Sequence, residues 1–364
     1  MYVIEVFDDN EGQEGAQVTF LTEKSNERIA ISLFKSNTTE TQMSISSENA
    51  HTIDRTVELL ARSMDAEDED EADALQDEAL DVIYAVASSL DQDSGASEES
   101  SQLPKEVVLH NLLFPKTSFY RLGEVAGELT TVPISPDEAY GPTYNEDQDQ
   151  NIPKFDNEIS IDSSLPSYLP EQVKVVKQLV SGGGTVCLAQ VDGYQMLCKA
   201  QHDGLKNVSL KREIDCLQKI SQAFLGRFSV PKLLGYVKHP RSGAILGFLR
   251  EWVPSKDNLK DLKEAGFPDI PKEIRQKIGR QIKETVEILH GIKIVWGDAK
   301  PSNVVIGLSN DAWLIDFGGG WSEGWVDENL QNTVEGDQQA VTRILEFLDF
   351  NTFDMSSTLE EYQF

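Results

Sequence analysis

The residues able to do chemistry cluster in one stretch, Leu289 to Gly320, which reads LHGIKIVWGDAKPSNVVIGLSNDAWLIDFGGG. It carries Asp298, Lys300 and Asn303 on a short loop and Asp316 after the next apolar run. Phosphoryl transfer suits such a set, because it needs a positioned nucleophile and neutralised phosphate charge and little covalent help. A carboxylate beside an acceptor hydroxyl orients it and takes its proton, and Asp298 is the candidate base. Lys300 places a cation beside the transferring phosphoryl group. Asn303 and Asp316 offer two oxygen ligands to magnesium, a hard ion that prefers carboxylate, carbonyl and water. Pro301 stops the loop continuing as helix and biases Lys300 toward an extended backbone. Each residue alone has a plainer reading: Asp298 or Asn303 as a cap, Asp316 as the end of a buried strand. As an ordered set flanked by IVW, NVVI and AWLID, three runs read as short strands, they point to chemistry.

The order of these residues carries a resemblance. Asp, Lys two on, Asn five on, then Asp-Phe-Gly is how kinases place base, phosphate contact and metal ligands. The stretch resembles the catalytic centre of protein-kinase-like phosphotransferases, and its Trp-Gly-Asp-Ala-Lys-Pro form is similar to divergent kinase-like proteins of fungi. The resemblance spans roughly residues 170 to 350. It implies an α+β, bilobal protein-kinase-like fold with a minimal helical C-lobe behind an acidic N-terminal extension. It also implies ATP and Mg2+ as cofactors. Gly182, Gly183 and Gly184 would then form the phosphate loop. Lys199 would hold the α- and β-phosphates with Glu213, and Glu251, Trp252 and Val253 would form the hinge that receives adenine. Asp337 would anchor the backbone of the catalytic loop. The chain departs from the family in lacking Ala-Pro-Glu and a long activation segment, so control by a phosphate there is not expected.

The implied activity is transfer of the ATP γ-phosphate to a hydroxyl. Lys300 at two past the base resembles protein Ser/Thr kinases. The Gly297-Asp298 pair and the reduced lobe are similar to small-molecule phosphotransferases such as aminoglycoside or choline kinases. A third reading is a pseudokinase scaffold, suggested by Trp296 where the family has histidine and by glycines that depart from G-x-G-x-x-G.

The elements that would position these residues are legible in outline. Ser181 to Thr185 is a Gly-rich turn between apolar runs, where backbone N–H groups can approach phosphate closely. Asp192-Gly193 reads as a hairpin turn. Lys199 follows in the apolar strand MLCKA, where its charge needs a partner. VSLKREIDCLQKI is a helix with Leu210, Ile214, Leu217 and Ile220 on one face, bringing Glu213 toward the sheet. VPKLLGYVKHP and GAILGFLREWVPS read as paired strands. Ile274, Ile278, Ile282, Val286 and Leu289 recur at helical spacing in the helix leading to the loop, and Asp337 to Phe350 forms a closing helix. His290 reads as structural.

Composition sets the outer limits. The chain has 364 residues and a formal net charge of -30, unevenly spread: 25 acidic against 5 basic residues in 1–100, and 26 against 23 in 171–364. Such acidity disfavours nucleic acid and anionic membrane as partners. The acidic run from Asp65 to Asp73 reads as a solvated face or disordered loop, with docking to a basic protein partner as the alternative. Cys187, Cys198 and Cys216 lack metal-ligand spacing and read as reduced, buried thiols. The opening MYVIEVFDDNEGQEG has no basic, apolar signal pattern, and no apolar run approaches a membrane span. A cytoplasmic or nuclear location is therefore expected.

By sequence the chain divides into an acidic α+β accessory region (1–100), an extended, wrapping connection (101–170), an N-lobe (171–253) and a C-lobe (254–364). Within the first, YVIEVF, QVTFLT and RIAISLF read as an antiparallel meander. Ile53, Val57, Leu60 and Ala61 mark one helix face, and Leu75, Leu80, Ile83 and Val86 another. DQDSGASEESSQ reads as a linker, and Tyr140 and Tyr144 as aromatics packing on the catalytic part.

Overall fold

The computed structural model describes residues 2–7, 14–22, 27–36, 45–66, 68–93, 107–141, 159–180, 184–201, 208–223, 229–266 and 270–349. The chain forms two compact units, one of Met1–Phe155, Pro170–Cys187 and Gln201–Leu205, the other of Asp156–Leu169, Leu188–Ala200 and Lys206–Phe364. Both α-helices and β-sheets are present, in the α+β class expected from the sequence.

The first unit is built on strands β1 (Tyr2–Phe7), β2 (Gly15–Leu21) and β3 (Arg28–Phe34), followed by helices α1 (Ser47–Asp65) and α2 (Glu69–Asp93). Then come β4 (Val107–Val108), α3 (Leu109–Leu113), β5 (Thr117–Val125) and β6 (Glu128–Pro133). The sheet order is β1-β2-β3-β5-β6. The meander of the first three strands is antiparallel, as the alternating sequence predicts. β5 lies parallel to β3, from Arg28 opposite Thr117 to Ser32 opposite Arg121. A parallel neighbour requires a long crossover, and the connection through α1 and α2 provides it. Val18, Phe20, Ile29, Ile31 and Leu33 share one face and pack with Ile53, Val57, Leu60, Leu80 and Ile83 in one core.

The opposite face is polar and also buried. Ser32 Oγ donates to Gln17 Oε1 at 3.2 Å, the Tyr140 amide donates to Ser32 Oγ at 3.0 Å, and the Gly141 amide donates to Gln17 Oε1 at 3.1 Å. The segment after β6 therefore covers this face with matched donors and acceptors, as buried polar groups require. The Tyr140 ring packs on Phe7 and Phe34 of the same unit; Tyr144 lies outside the described residues.

Two sequence expectations change here. Residues 117–133 are not an extended connection but two strands of the sheet; Pro133 obscured the second, and it is tolerated because β6 is an edge strand. The stretch read as a linker begins inside α2, which runs to Asp93, and its remainder lies outside the described residues. The acidic run divides between helix ends. Asp68 Oδ1 accepts the Glu71 amide at 2.9 Å, Arg62 pairs with Glu71 at 3.8 Å, and Arg55 pairs with Glu78.

The chain continues through β7 (Ser167–Tyr168), β8 (Lys174–Val180), β9 (Gly184–Val191) and β10 (Tyr194–Gln201). β8 pairs with β4 in the first unit, and the division between units falls within β9. The hairpin from β9 to β10 turns at Asp192 and Gly193, with φ of 50° and 85°. Helix α4 (Val208–Gln222) precedes strands β11 (Leu233–Lys238), β12 (Ile245–Glu251) and β13 (Ser255–Asn258). Helices α5 (Leu259–Glu264) and α6 (Lys272–Gly291), strands β14 (Val304–Gly307) and β15 (Ala312–Leu314), and helix α7 (Val334–Phe347) complete the chain.

In the second unit β10 and β11 flank β12, both antiparallel to it, with Lys199 opposite Phe248. β13, β14 and β15 form a separate small sheet. The buried faces of α4 (Leu210, Ile214, Leu217), α6 (Ile278, Ile282, Val286, Leu289) and α7 (Ala340, Ile344) join one apolar core. Ile294 to Trp296, expected as a strand, is irregular: Ile294 and Trp296 are buried one by one, without a ladder. α7 starts at Val334, three residues before the expected helix, because Thr333 Oγ1 caps it by accepting the Gly336 amide at 3.0 Å. The three cysteines are buried and unbridged. Among the described residues no helix is long and apolar enough to cross a membrane.

Candidate active site

Lys199 leaves β10 on the same face as Phe248 and ends between two carboxylates. Its Nζ lies 2.6 Å from Glu213 Oε2 on α4 and 2.9 Å from Asp316 Oδ1 after β15. Glu213 is 2% exposed, so it stands on the inward face of α4. Burial opposes the Lys199 charge, but the two carboxylates outweigh it and hold the ammonium pKa above its ordinary value. Burial pushes Glu213 upward against the pull of Lys199. For Asp316 burial also works upward, but Lys199 and the Gly318 amide prevail and hold its pKa below the usual carboxylate value.

A second cation, Arg250 of β12, is buried, and its charge acts on Glu213, Asp316 and Glu251. Two carboxylates thus face two cations, which makes their joint burial tolerable.

The Asp298 cluster lies on the loop after α6. Asn303, at the end of a 3₁₀ turn begun by Pro301, donates from Nδ2 to the Asp298 carbonyl at 2.8 Å and to Asp298 Oδ2 at 2.9 Å. Lys300 Nζ sits 2.7 Å from Asp298 Oδ2 and donates to Ser322 Oγ at 2.9 Å. Ser322 Oγ donates in turn to Asp298 Oδ1 at 3.2 Å. Lys300 has the extended backbone that the following proline favours, with φ -159° and ψ 161°. The Lys300 charge also reaches Asp316, and a Cβ built on Gly320 would stand 3.7 Å from Asp298 Cγ, so the two clusters form one site.

The backbone around both acids is tightly held. Asp337 of α7 accepts the Trp296 amide at 2.7 Å and the Gly297 amide at 2.8 Å, and His290 Nε2 lies 2.8 Å from the same carboxylate. Trp296 is fully buried, and its indole N–H donates to the Ile315 carbonyl at 2.9 Å. Arg212 of α4 donates to the carbonyls of Val295, Trp296 and Phe317 at 2.9, 3.2 and 2.5 Å. Asp316 itself has φ +61°, an uncommon conformation for a residue with a side chain, of the kind that concentrates at working sites.

Among the residues singled out from the sequence, Lys199, Glu213, Asp298, Lys300, Asn303 and Asp316 meet in the second unit. Gly182 and Gly183 lie outside the described residues, and Gly184 opens β9 in the first unit. Glu251 ends β12, where its amide donates to the Lys232 carbonyl at 2.8 Å, and Val253 is buried just beyond. Arg212, Arg250 and Ser322 were not anticipated. A charge inside the apolar run GFLRE was the one available signal for Arg250.

Compared with known protein families and with curated proteins, the chain matches none.

Proposed function

We propose that residues 171–364 are an ATP- and Mg2+-dependent phosphotransferase that moves the γ-phosphoryl group to a hydroxyl, with a protein serine or threonine as acceptor. The observation that carries this reading is the position of Lys199. One ammonium stands between a helix carboxylate, Glu213, and Asp316, 117 residues further along the chain, beside the Asp298 loop. In this reading residues 171–253 and 254–364 serve as the two lobes of a kinase-like fold.

Asp298 acts as the base. Its Oδ1 already accepts one hydroxyl, that of Ser322, which supports a role in taking a hydroxyl proton. Lys300, held against Asp298, supplies positive charge where the transferring group passes. Lys199 grips the other phosphates and is kept charged by its two carboxylates.

The donor set fits magnesium. The Asn303 amide nitrogen is turned to Asp298, which leaves the amide oxygen as its ligating atom, and Asp316 Oδ2 is the oxygen not taken by Lys199. Among the described residues no group of three acidic, His or Cys side chains gathers as a metal cage, so phosphate oxygens and water would complete the shell, as magnesium commonly accepts. Bound there, the ion would neutralise phosphate charge.

The test is thermal shift with ATP alone, ATP with Mg2+, and the same for Asp316→Asn. A ligand that binds only the folded state must raise its apparent stability. A Mg2+-dependent rise that the variant loses supports the reading, and phosphate transfer to serine peptides against a panel of small alcohols then identifies the acceptor. No rise at millimolar ATP would overturn it in favour of a scaffold.

A further inference from the structure

We infer that Arg212 is a positioning residue that sets Asp298 and Asp316 in register with Lys199. The inference rests on the phosphotransfer reading above. Arg212 and Glu213 are neighbours on α4, yet they serve different parts of the site: Glu213 holds Lys199, and the Arg212 guanidinium grips two other segments. It takes the carbonyls of residues 295 and 296, just ahead of Asp298, and the carbonyl of residue 317, just after Asp316.

A planar fork of N–H donors can bridge three carbonyls in a way that a lysine ammonium cannot reproduce. The two segments are also shaped to admit it. A Cβ on Gly297 would stand 2.4 Å from Arg212 Nη2, and one on Gly319 would stand 2.9 Å from Nη1. The guanidinium therefore fills space that side chains at 297 and 319 would need. Asp337 closes the other side by accepting the amides of 296 and 297, so the chain entering Asp298 is held by donors and acceptors alike.

This arrangement replaces a familiar kind of control. Ser322 and Thr333 are the only hydroxyl side chains between residues 317 and 333. Ser322 is bonded to Asp298 and Lys300, and Thr333 caps α7. One turn of α4 therefore assembles the site from within, without a phosphate on that segment.

The test uses Arg212→Ala in the full chain. Misplacing catalytic groups by about 1 Å costs about 100-fold in rate, so kcat should fall by that order. Millimolar guanidinium, well below denaturing levels, should recover about tenfold of that loss by refilling the vacated space, whereas sodium chloride at equal ionic strength should not. Arg212→Lys should remain impaired.

A kcat within about threefold of wild type, or a loss that guanidinium leaves untouched, overturns the inference. Amide hydrogen exchange separates its failure from failure of the activity reading. If the wild type turns over no ATP, the activity reading fails, and the register claim stands or falls on the amides of Trp296 and Gly297. They should exchange faster in Arg212→Ala and slow again with guanidinium. Unchanged exchange sinks the claim whatever the activity.

Discussion

The Asp337 carboxylate accepts the amide of Trp296 at 2.7 Å and that of Gly297 at 2.8 Å, tying α7 to the two peptide units that precede Asp298. Both amides are buried, so without this carboxylate they would lose their bonds in a place water does not reach. Asp337→Asn keeps the shape but turns one acceptor into a donor facing N–H groups. Hydrogen bonds to a charged group contribute about 1.5–3 kcal/mol each, so the variant should lose about 3 kcal/mol. All five tryptophans lie between residues 252 and 325, so tryptophan fluorescence during urea unfolding reads the second unit selectively. An unchanged midpoint with an unchanged slope would refute the anchoring role.

The Lys199 cluster predicts an order of effects. Lys199→Met leaves Glu213 and Asp316 with only the charges of Arg250 and, at Asp316, Lys300, and stripping a partner from a buried ionic group costs about 3–5 kcal/mol. Glu213→Gln should cost less, because Lys199 keeps Asp316 at 2.9 Å. The double variant should show coupling of about 1–3 kcal/mol, as contacting residues do. Equal single effects that simply add would mean that Lys199 and Glu213 do not pair in solution.

Much of this site was legible because it is written in side chains. Lys199 sits in an apolar strand where a lone charge needs a partner, and Glu213 lies at the matching place on an amphipathic helix. Asp337 was legible through the resemblance alone. Arg212 was not: beside Lys211 it reads as ordinary helix surface charge, and its partners are backbone carbonyls, which any residue can supply. The first unit divides in the same way. Its meander shows in local alternation, whereas the parallel pairing of β3 with β5 joins residues far apart, and no local pattern announces that. Pro133 and the surrounding Pro- and Asp-rich sequence further hid β6.

Glu124 gives the first unit a dependence on pH. Its Oε2 accepts the Ser46 amide at 2.8 Å and Asn49 Nδ2 at 2.7 Å, joining β5 to the start of α1. The Ser46 and Asn49 bonds hold its pKa below the ordinary carboxylate value of 4.5. Such a group stabilises the fold above its unfolded pKa, and the contribution is lost as pH falls through the lower, folded value. Glu124→Gln should therefore melt below the wild type at pH 7, and the gap should narrow once pH drops under about 4. Circular dichroism melts at several pH values follow this, with Asp54→Asn as the control for acid effects elsewhere. A gap of constant size down to strong acid would show that the carboxylate charge is not what joins the two elements.

Asp298, Lys300 and Ser322 form a closed ring of contacts, and the ring separates chemistry from support. Asp298→Asn removes the proposed proton acceptor while keeping a group that Ser322 can still bond. It should lower kcat by about 10²–10⁴-fold, the range for a general base, at a stability cost of about 2–3 kcal/mol, because Lys300 and Asn303 lose their charged partner. Ser322→Ala leaves Lys300 2.7 Å from Asp298 and removes two hydrogen bonds to charged groups, the one Ser322 accepts from Lys300 and the one it donates to Asp298. A hydrogen bond to a charged group is worth about 1.5–3 kcal/mol, so losing the one to Asp298 lowers the rate by about 10- to 100-fold. The expected ranking is therefore the larger rate loss for Asp298→Asn and the smaller one for Ser322→Ala, with a destabilisation of a few kcal/mol in both. Single-turnover phosphotransfer with parallel urea unfolding measures both quantities. If Asp298→Asn retains near wild-type turnover, its carboxylate is a ring member and not the base. If Ser322→Ala abolishes turnover while folding intact, the serine does more than orient its neighbours, and the proposal that Asp298 alone serves as the base is wrong.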